Sequence, residues 1–405
     1  MSGRTVITGI GVVAPNGIGA DAFWKATKEG VSVLDTIGRD GFDGLPLRIA
    51  GQVREFDATA MVEERYVVQT DRFTHFAMAA ADLALAQSGP PAPGGSPLDV
   101  AVVTAAGSGG GEFGQRELQK LWGRGSRHVG PYQSIAWFYA ASTGQISIRG
   151  GFKGPCGVVA SDEAGGLDAL AHARRSLLRG TRAVVVGAAE APLAPYSGVC
   201  QLGYEELSLV PDADRAYLPF TTSARGFAPA EGGAMFVVED EQNAADRGAT
   251  ARAVIAGHAA TFTGASRWAE SREGLARAIR GALDDARLAP SDVDVVFADA
   301  LGTPWADRAE ALALRDALGP HASRVPVTAP KTGTGRAYCG APLLDTAAAV
   351  LALEHDTVPP TPHVHEVCHD IDLVTERSRP AELRTALVLS RGLMGSNAAL
   401  VVTAP

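Results

Sequence analysis

A glutamate in a tight turn ahead of a helix is the residue in this chain whose position most suggests chemistry. Residues 154–170, Gly-Pro-Cys-Gly-Val-Val-Ala-Ser-Asp-Glu-Ala-Gly-Gly-Leu-Asp-Ala-Leu, read as a strand, a turn, and a helix that starts near Ala164 and runs through Ala171 and Leu178. A side chain on such a turn stands at a helix N-terminus, where the backbone dipole lowers the pKa of a thiol or stabilises an anion. That is a place for a nucleophile, and Glu163 holds it. The dipole is expected to keep the carboxylate ionised. A carboxylate is a far weaker acyl acceptor than a thiolate and its mixed anhydride would hydrolyse, so thioester-based transfer cannot run through Glu163.

Three other clusters carry suggestive residue types. His363, His365, Cys368 and His369 suit zinc, but they follow Pro359, Pro360 and Pro362 with no helix or hairpin to fix four ligands, so no metal is expected. Gly9-Ile10-Gly11 follows the apolar Val6-Ile7 as a dinucleotide-binding loop would, yet Pro15 and Asn16 fall where that motif's helix should run. A glycine-rich turn after the first strand is expected instead. Residues 107–114 are crowded with Gly and Ser, but no Lys-Ser or Lys-Thr follows, which excludes a phosphate-cradling loop. Glycine there either allows close backbone packing or leaves space.

The elements that must position these residues are visible as period. Short apolar runs at 100–104, 183–187, 295–298 and 385–390, rich in Val and bounded by turn residues, predict buried strands. Residues 71–88 and 341–355 predict core helices, the second apolar almost all round. The alternation of strand and helix occurs twice, before and after the charged segment 239–247, which predicts an internally duplicated α/β fold. We place the halves at 1–247, with an irregular excursion over 190–226, and 248–405. Residues 89–97, rich in Pro and Gly, predict a surface loop.

Composition narrows the function classes. A chain of 405 residues, 46% hydrophobic and 20% charged, is long enough to bury a large core. The net charge of -9 and the lack of a basic run argue against nucleic acid as a partner. Cys156, Cys200, Cys339 and Cys368 are scattered without CxxC spacing, which fits reduced thiols. No basic segment followed by an apolar run opens the chain, and no stretch of ~18 apolar residues could span a bilayer, so a cytoplasmic location without a membrane partner is expected.

Residues 154–170 resemble the active-site region of β-ketoacyl synthases, in which a cysteine sits eight residues after the proline of Gly-Pro and ahead of a Gly-Leu-Asp-Ala run. Here that position is Glu163. Such synthases also use two histidines that polarise the thioester carbonyl. The first motif reads Asp299-Ala300-Leu301-Gly302-Thr303 in this chain, and Leu301 can neither donate a hydrogen bond nor take a proton. The second reads Lys331-Thr332-Gly333-Thr334-Gly335-Arg336, so the lysine is retained while arginine stands in place of histidine. Arg336 donates but cannot act as a base. The frame is otherwise kept, in Thr70-Asp71-Arg72-Phe73, Pro219-Phe220, Arg225-Gly226-Phe227, Glu231-Gly232 and the closing Leu389-Ser390-Arg391-Gly392-Leu393-Met394-Gly395-Ser396-Asn397.

Within that superfamily the pattern is similar to the chain-length factor, or ketosynthase β, of type II polyketide synthases, many of which carry glutamine where Glu163 stands. The resemblance implies a thiolase-like α/β fold, two duplicated βαβαβαββ halves in a five-layered α-β-α-β-α arrangement. It implies no catalytic residue at the degenerate positions Glu163, Leu301 and Arg336, and no cofactor. It further implies a heterodimer with a ketosynthase α that holds the working Cys-His-His set. The growing polyketide chain would be carried on the phosphopantetheine of a partner acyl carrier protein, in antibiotic or pigment biosynthesis.

The family's chain-length gate lies on the helix after the glycine-rich loop. Gly111, Gly114 and Leu118 fall there at spacings of three and four, on one helical face. Two readings stay open: these glycines vacate volume for a long chain, at ~0.8 kcal/mol per buried CH₂, or they permit tight helix packing. Two alternative functions are decarboxylation of malonyl-carrier protein, disfavoured by an ionised Glu163, and a thiolase-type scaffold.

Overall fold

The strand Ala183–Glu190 is buried at every residue, yet its side chains divide by parity. Val184 and Val186 join one apolar cluster, and Val185 joins another. Successive side chains of a strand point to opposite faces, so a continuous apolar run means that both faces are covered. That is the pattern of the whole fold in the computed structural model, which describes residues 3–91, 95–264, 270–392 and 395–405.

The first half runs strand Thr5–Ala14, helix Arg72–Ser88, strand Val100–Ala105, helices Gly111–Arg124 and Ala141–Gly150, strand Cys156–Val159, helix Gly165–Leu178, then strands Ala183–Glu190 and Gly232–Asp240. The second half repeats the order with Ala253–Phe262, helix Arg272–Ala286, Val295–Phe297, helix Pro304–Leu318, Pro326–Thr328, helix Ala341–His355, Thr385–Arg391 and Ser396–Thr403. In both halves the sheet order is first, fifth, fourth, second, third strand. The two first strands meet through Val6 and Val254, so hydrogen bonding is continuous across the halves.

Leu167 and Leu170 of one central helix, and Leu343, Val350 and Leu351 of the other, share a core with Val184 and Phe236 of the first sheet and Val388, Leu400 and Val402 of the second. Phe73, Phe76 and Ala80 cover the outer face of the first sheet, and Leu275, Ile279 and Leu314 that of the second. Five layers result, helix, sheet, helices, sheet, helix. The helix Ala341–His355 is apolar all round because it lies between two sheets.

Gly9 and Gly11 form no turn. Both lie inside the strand Thr5–Ala14, where a Cβ on Gly9 would lie 2.2 Å from Ala84 O and one on Gly11 1.8 Å from Ala80 O. Glycine lets the helix Arg72–Ser88 press directly on the strand, and close backbone approach, not a ligand loop, explains the motif. The excursion after Glu190 contains the helix Pro195–Gln201 and then largely irregular backbone. Of the expected loop 89–97, residues 92–94 lie outside the described residues, as do Leu393 and Met394 of the closing motif. Among the described residues no helix is long and apolar enough to cross a membrane. Gly11→Ala is expected to destabilise the fold by about 1–3 kcal/mol or more, because the clash is with backbone that cannot step aside; chemical denaturation measures it.

Candidate functional site

The turn that precedes the helix Gly165–Leu178 is made by Asp162, whose φ of 58° is left-handed, and it delivers Glu163 into the interior with 1% exposure. There it meets Arg336, which follows the short helix Lys331–Thr334 and is itself fully buried. Arg336 Nε donates to Glu163 Oε2. Its Nη2 donates to Asp299 Oδ1 at 2.8 Å and to Arg391 O at 2.7 Å, and its Nη1 to Asp299 O at 2.9 Å. Four of the five N–H groups of the planar fork are thus spent on protein acceptors.

Asp299 is the hub of this cluster. Oδ1 also accepts from Arg391 N at 2.8 Å, and Oδ2 accepts from Arg391 Nε at 3.1 Å. Arg391 Nη2 reaches Glu310 Oε2 at 3.2 Å, and Glu310 in turn accepts from the backbone N–H groups of Asp299 and Ala300, at 2.7 and 2.9 Å. Lys331 Nζ donates to Ala298 O at 2.8 Å and pairs with buried Asp345 at 2.5 Å. The retained lysine therefore clamps the backbone beside Asp299. Leu301 is fully buried in an apolar cluster with Leu193, Tyr217 and Phe227, over whose ring the Arg336 guanidinium lies 5.7 Å from the centroid.

The charges do not balance. Glu163, Asp299, Glu310 and Asp345 face Arg336, Arg391 and Lys331, one carboxyl in excess. Burial would raise Asp299, but Arg336, Arg391 and Lys331 outweigh it and hold this carboxyl at about 2. Glu163 has one cation and two acidic neighbours: burial pushes it up to about 8 against Arg336, with Asp162 and Asp299 adding repulsion. The expectation of an ionised Glu163 is thereby overturned. The dipole at a helix N-terminus is a fraction of a charge, whereas full burial removes the solvation of a whole one.

A cavity of about 240 Å³ opens beside Glu163, between the loop that carries Gly107 and Ser108, the helix Pro195–Gln201, and Tyr338 and Cys339. Gly111 lines it; a Cβ there would lie 2.6 Å from Ser197 Oγ, a movable side-chain tip. Gly114 is buried but turned toward Gln133 and Trp137, at 3.8 and 3.9 Å from a built Cβ, so tight packing does not require glycine there. Packing is tightest one residue before the proposed gate, at Gly110, where a Cβ would lie 1.9 Å from Ala136 O. Leu118 lies outside the cavity and is 42% exposed. The histidine-rich segment is dispersed: His363 Nδ1 lies 3.5 Å from an Asp214 oxygen, Cys368 Sγ donates to Phe220 O, and His369 packs edge-on to the Phe220 ring.

Sequence reasoning located Glu163, Arg336 and Lys331 but missed that Asp299, Arg391 and Glu310 join them. A signal existed: Arg391 ends the otherwise apolar strand Thr385–Arg391, and an arginine buried there must be paired. Nothing in the spacing announced the cavity wall formed by Ser197, Gln201 and Tyr338.

The duplicated five-layer fold, with a nucleophile turn at the start of a central helix, defines the class. The Beta-ketoacyl synthase N-terminal domain matches residues 3–244 and its C-terminal domain matches residues 252–365, and the chain belongs to the β-ketoacyl synthase family. It is 70% identical over 402 residues to a Streptomyces coelicolor protein provisionally named polyketide beta-ketoacyl synthase 2, covering 99% of this chain and 95% of that one. It is 50% identical over 402 residues to the tetracenomycin polyketide synthase ketoacyl synthase beta subunit of Streptomyces glaucescens, covering 98% and 97%. Among solved structures it superposes, at a TM-score of 0.87, 26% identity and full coverage of both chains, on a complex described as a type II polyketide synthase acyl-carrier protein with its ketosynthase bound to the hexaketide. Within the family this chain is of the ketosynthase β type, the chain-length factor.

Between the ordinary value of 4.5 and about 8, native Glu163 keeps a proton that the unfolded chain has released, so its contribution to stability falls as pH rises across that window. Glu163→Gln carries no such proton. Thermal unfolding of the two proteins from pH 6 to pH 8.5 is expected to show a shallower decline for the variant, and parallel curves would contradict the assignment.

Proposed function

We propose that this chain is the non-condensing half of a ketosynthase heterodimer, which pairs with a cysteine-bearing ketosynthase α and sets how far a polyketide grows. The observation that carries this reading is the buried ion cluster: the nucleophile's position holds a carboxyl tied to Arg336, and Arg336 is itself consumed by Asp299 and the Arg391 carbonyl. No base or thiolate remains at Glu163, Leu301 or Arg336 to run a condensation. The chain-length role rests on the glycine-lined start of the helix Gly111–Arg124. Its face continues through Leu118 to Trp122, and Trp137, Phe138 and Tyr139 are exposed beside it. An exposed apolar and aromatic face of this kind suits a protein partner, here the ketosynthase α. The extending chain would be delivered on the phosphopantetheine of an acyl carrier protein, with no cofactor held by this chain.

A second reading, decarboxylation of malonyl-carrier protein, gains from one observation. A Glu163 carboxyl held at about 8 is largely protonated at neutral pH and could donate to a thioester carbonyl, as an ionised one could not.

Gly111→Phe in the purified heterodimer is expected to shorten the product by at least one extension unit, read as carbon count by mass spectrometry. Replacing the partner's nucleophilic cysteine is expected to abolish product even when this chain carries Glu163→Cys, because Leu301 and Arg336 supply no base; product from that pair would refute the non-condensing assignment. Carbon dioxide release from malonyl-carrier protein by the same cysteine-free heterodimer, lost on Glu163→Leu, would establish the second reading, and its absence would remove it.

A further inference from the structure

We propose that the cavity beside Glu163 receives the distal, carbonyl-bearing end of the acyl chain, and that Glu163 hydrogen-bonds a carbonyl oxygen of that end through its second carboxyl oxygen. This rests on the chain-length reading above and deepens it by assigning the group that recognises the chain's far end.

Two independent observations meet here. The first is the cavity, which Gly111 and Glu163 both line and which helix Pro195–Gln201 closes with Ser197 and Cys200. The second is a buried carboxyl oxygen with nothing to bond: Glu163 is 1% exposed, its Oε2 accepts from Arg336, and its Oε1 has no hydrogen-bond partner among the described residues. Three other polar groups of the wall are already engaged with protein. Ser108 Oγ donates to Glu190 at 2.5 Å, the Tyr338 hydroxyl to Gln201 Oε1 at 2.5 Å, and the Cys339 thiol to Asp162 O at 2.9 Å. Among the described residues of the wall, Glu163 is the one with a buried side-chain oxygen left unpaired.

The chemistry of the occupant follows from that spare oxygen. An alkyl end would fill the volume but leave Oε1 desolvated and unpaired, which costs free energy. A ketone end satisfies it, because the carboxyl, held protonated by burial, presents an O–H to a carbonyl acceptor. A site built around a buried hydrogen-bonding group rejects the analogue that lacks the matching atom far more strongly than an apolar pocket rejects a methylene. The same geometry gives the substitution at this turn a purpose. Glutamine and protonated glutamate both offer a donor to a carbonyl, and leucine offers none.

The test uses the heterodimer with its carrier protein and reads the carbon count of the products, with heterodimer yield and melting temperature as controls. Glu163→Leu is expected to move the major product by at least one extension unit, while Glu163→Gln keeps the wild-type length because its amide N–H reaches the same carbonyl. Ser197→Leu fills the cavity from the opposite wall without touching the Arg336 cluster, and is expected to shorten the product as Gly111→Phe does. An unchanged distribution from intact Glu163→Leu heterodimer overturns the inference, and so does an equal shift from Leu and Gln. Should Glu163→Leu fail to assemble, Ser197→Leu decides: wild-type length there shows that the chain end lies elsewhere. If Gly111→Phe shortens the product while Glu163→Leu and Ser197→Leu leave it unchanged, the chain-length reading stands and this inference falls; if none of the three acts, the chain-length reading itself fails.

Discussion

The salt bridges of Arg336 to Asp299 and Glu163 are the constraint around which this protein is organised. They join the nucleophile turn, the backbone after the strand Val295–Phe297, the segment after Lys331–Thr334 and, through Arg391, the end of the strand Thr385–Arg391. These pieces come from both halves of the chain and lie far apart in sequence. Desolvating so many charges is costly, and the cluster is tolerable only because nearly every donor in it has an acceptor. The network ties up Arg336 and Asp299 and leaves neither a base nor a thiolate at the position of the nucleophile.

The duplicated architecture explains why the cluster sits where it does. Two helices, Gly165–Leu178 and Ala341–His355, are sandwiched between the sheets, and the turns at their starts face one another through Glu163 and the residues around Arg336. A position between two sheets is the least solvated in the fold. Burial raises the carboxyls of Glu163 and Asp345 there, and is outweighed at Asp299, which has three cations about it, and at Arg336, which has Asp299 and Glu163 beside it.

The glycines at the start of the helix Gly111–Arg124 have different reasons to be glycine. Gly110 is glycine because backbone from Ala136 comes within reach of any side chain, whereas Gly111 and Gly114 face space or movable atoms. Packing alone accounts for the first and not for the others. Asp71 caps the helix Arg72–Ser88 through Phe73 N and uses its other oxygen to accept from Phe113 N at 2.6 Å, so the helix Gly111–Arg124 is tied to the outer layer of the first half.

Much of the fold was legible from period alone. The helix 71–88 and the helix 341–355 appeared within a residue of their expected ends, and the four strands read from Val-rich runs all formed, because apolar content confined to one period commits an element locally. Gly9 and Gly11 were misread, since a glycine that admits a neighbouring helix looks in sequence like one that makes a turn. The degenerate positions Glu163, Leu301 and Arg336 were likewise recognisable from motif frames. What sequence could not give was their relation. Whether Glu163 is ionised depends on how many charges surround it and how much water reaches it, and those are set by Asp299, Arg391 and two covering sheets brought together only on folding. The residue types were fixed in the chain; their protonation, and the cavity that Glu163 lines, were decided by tertiary burial.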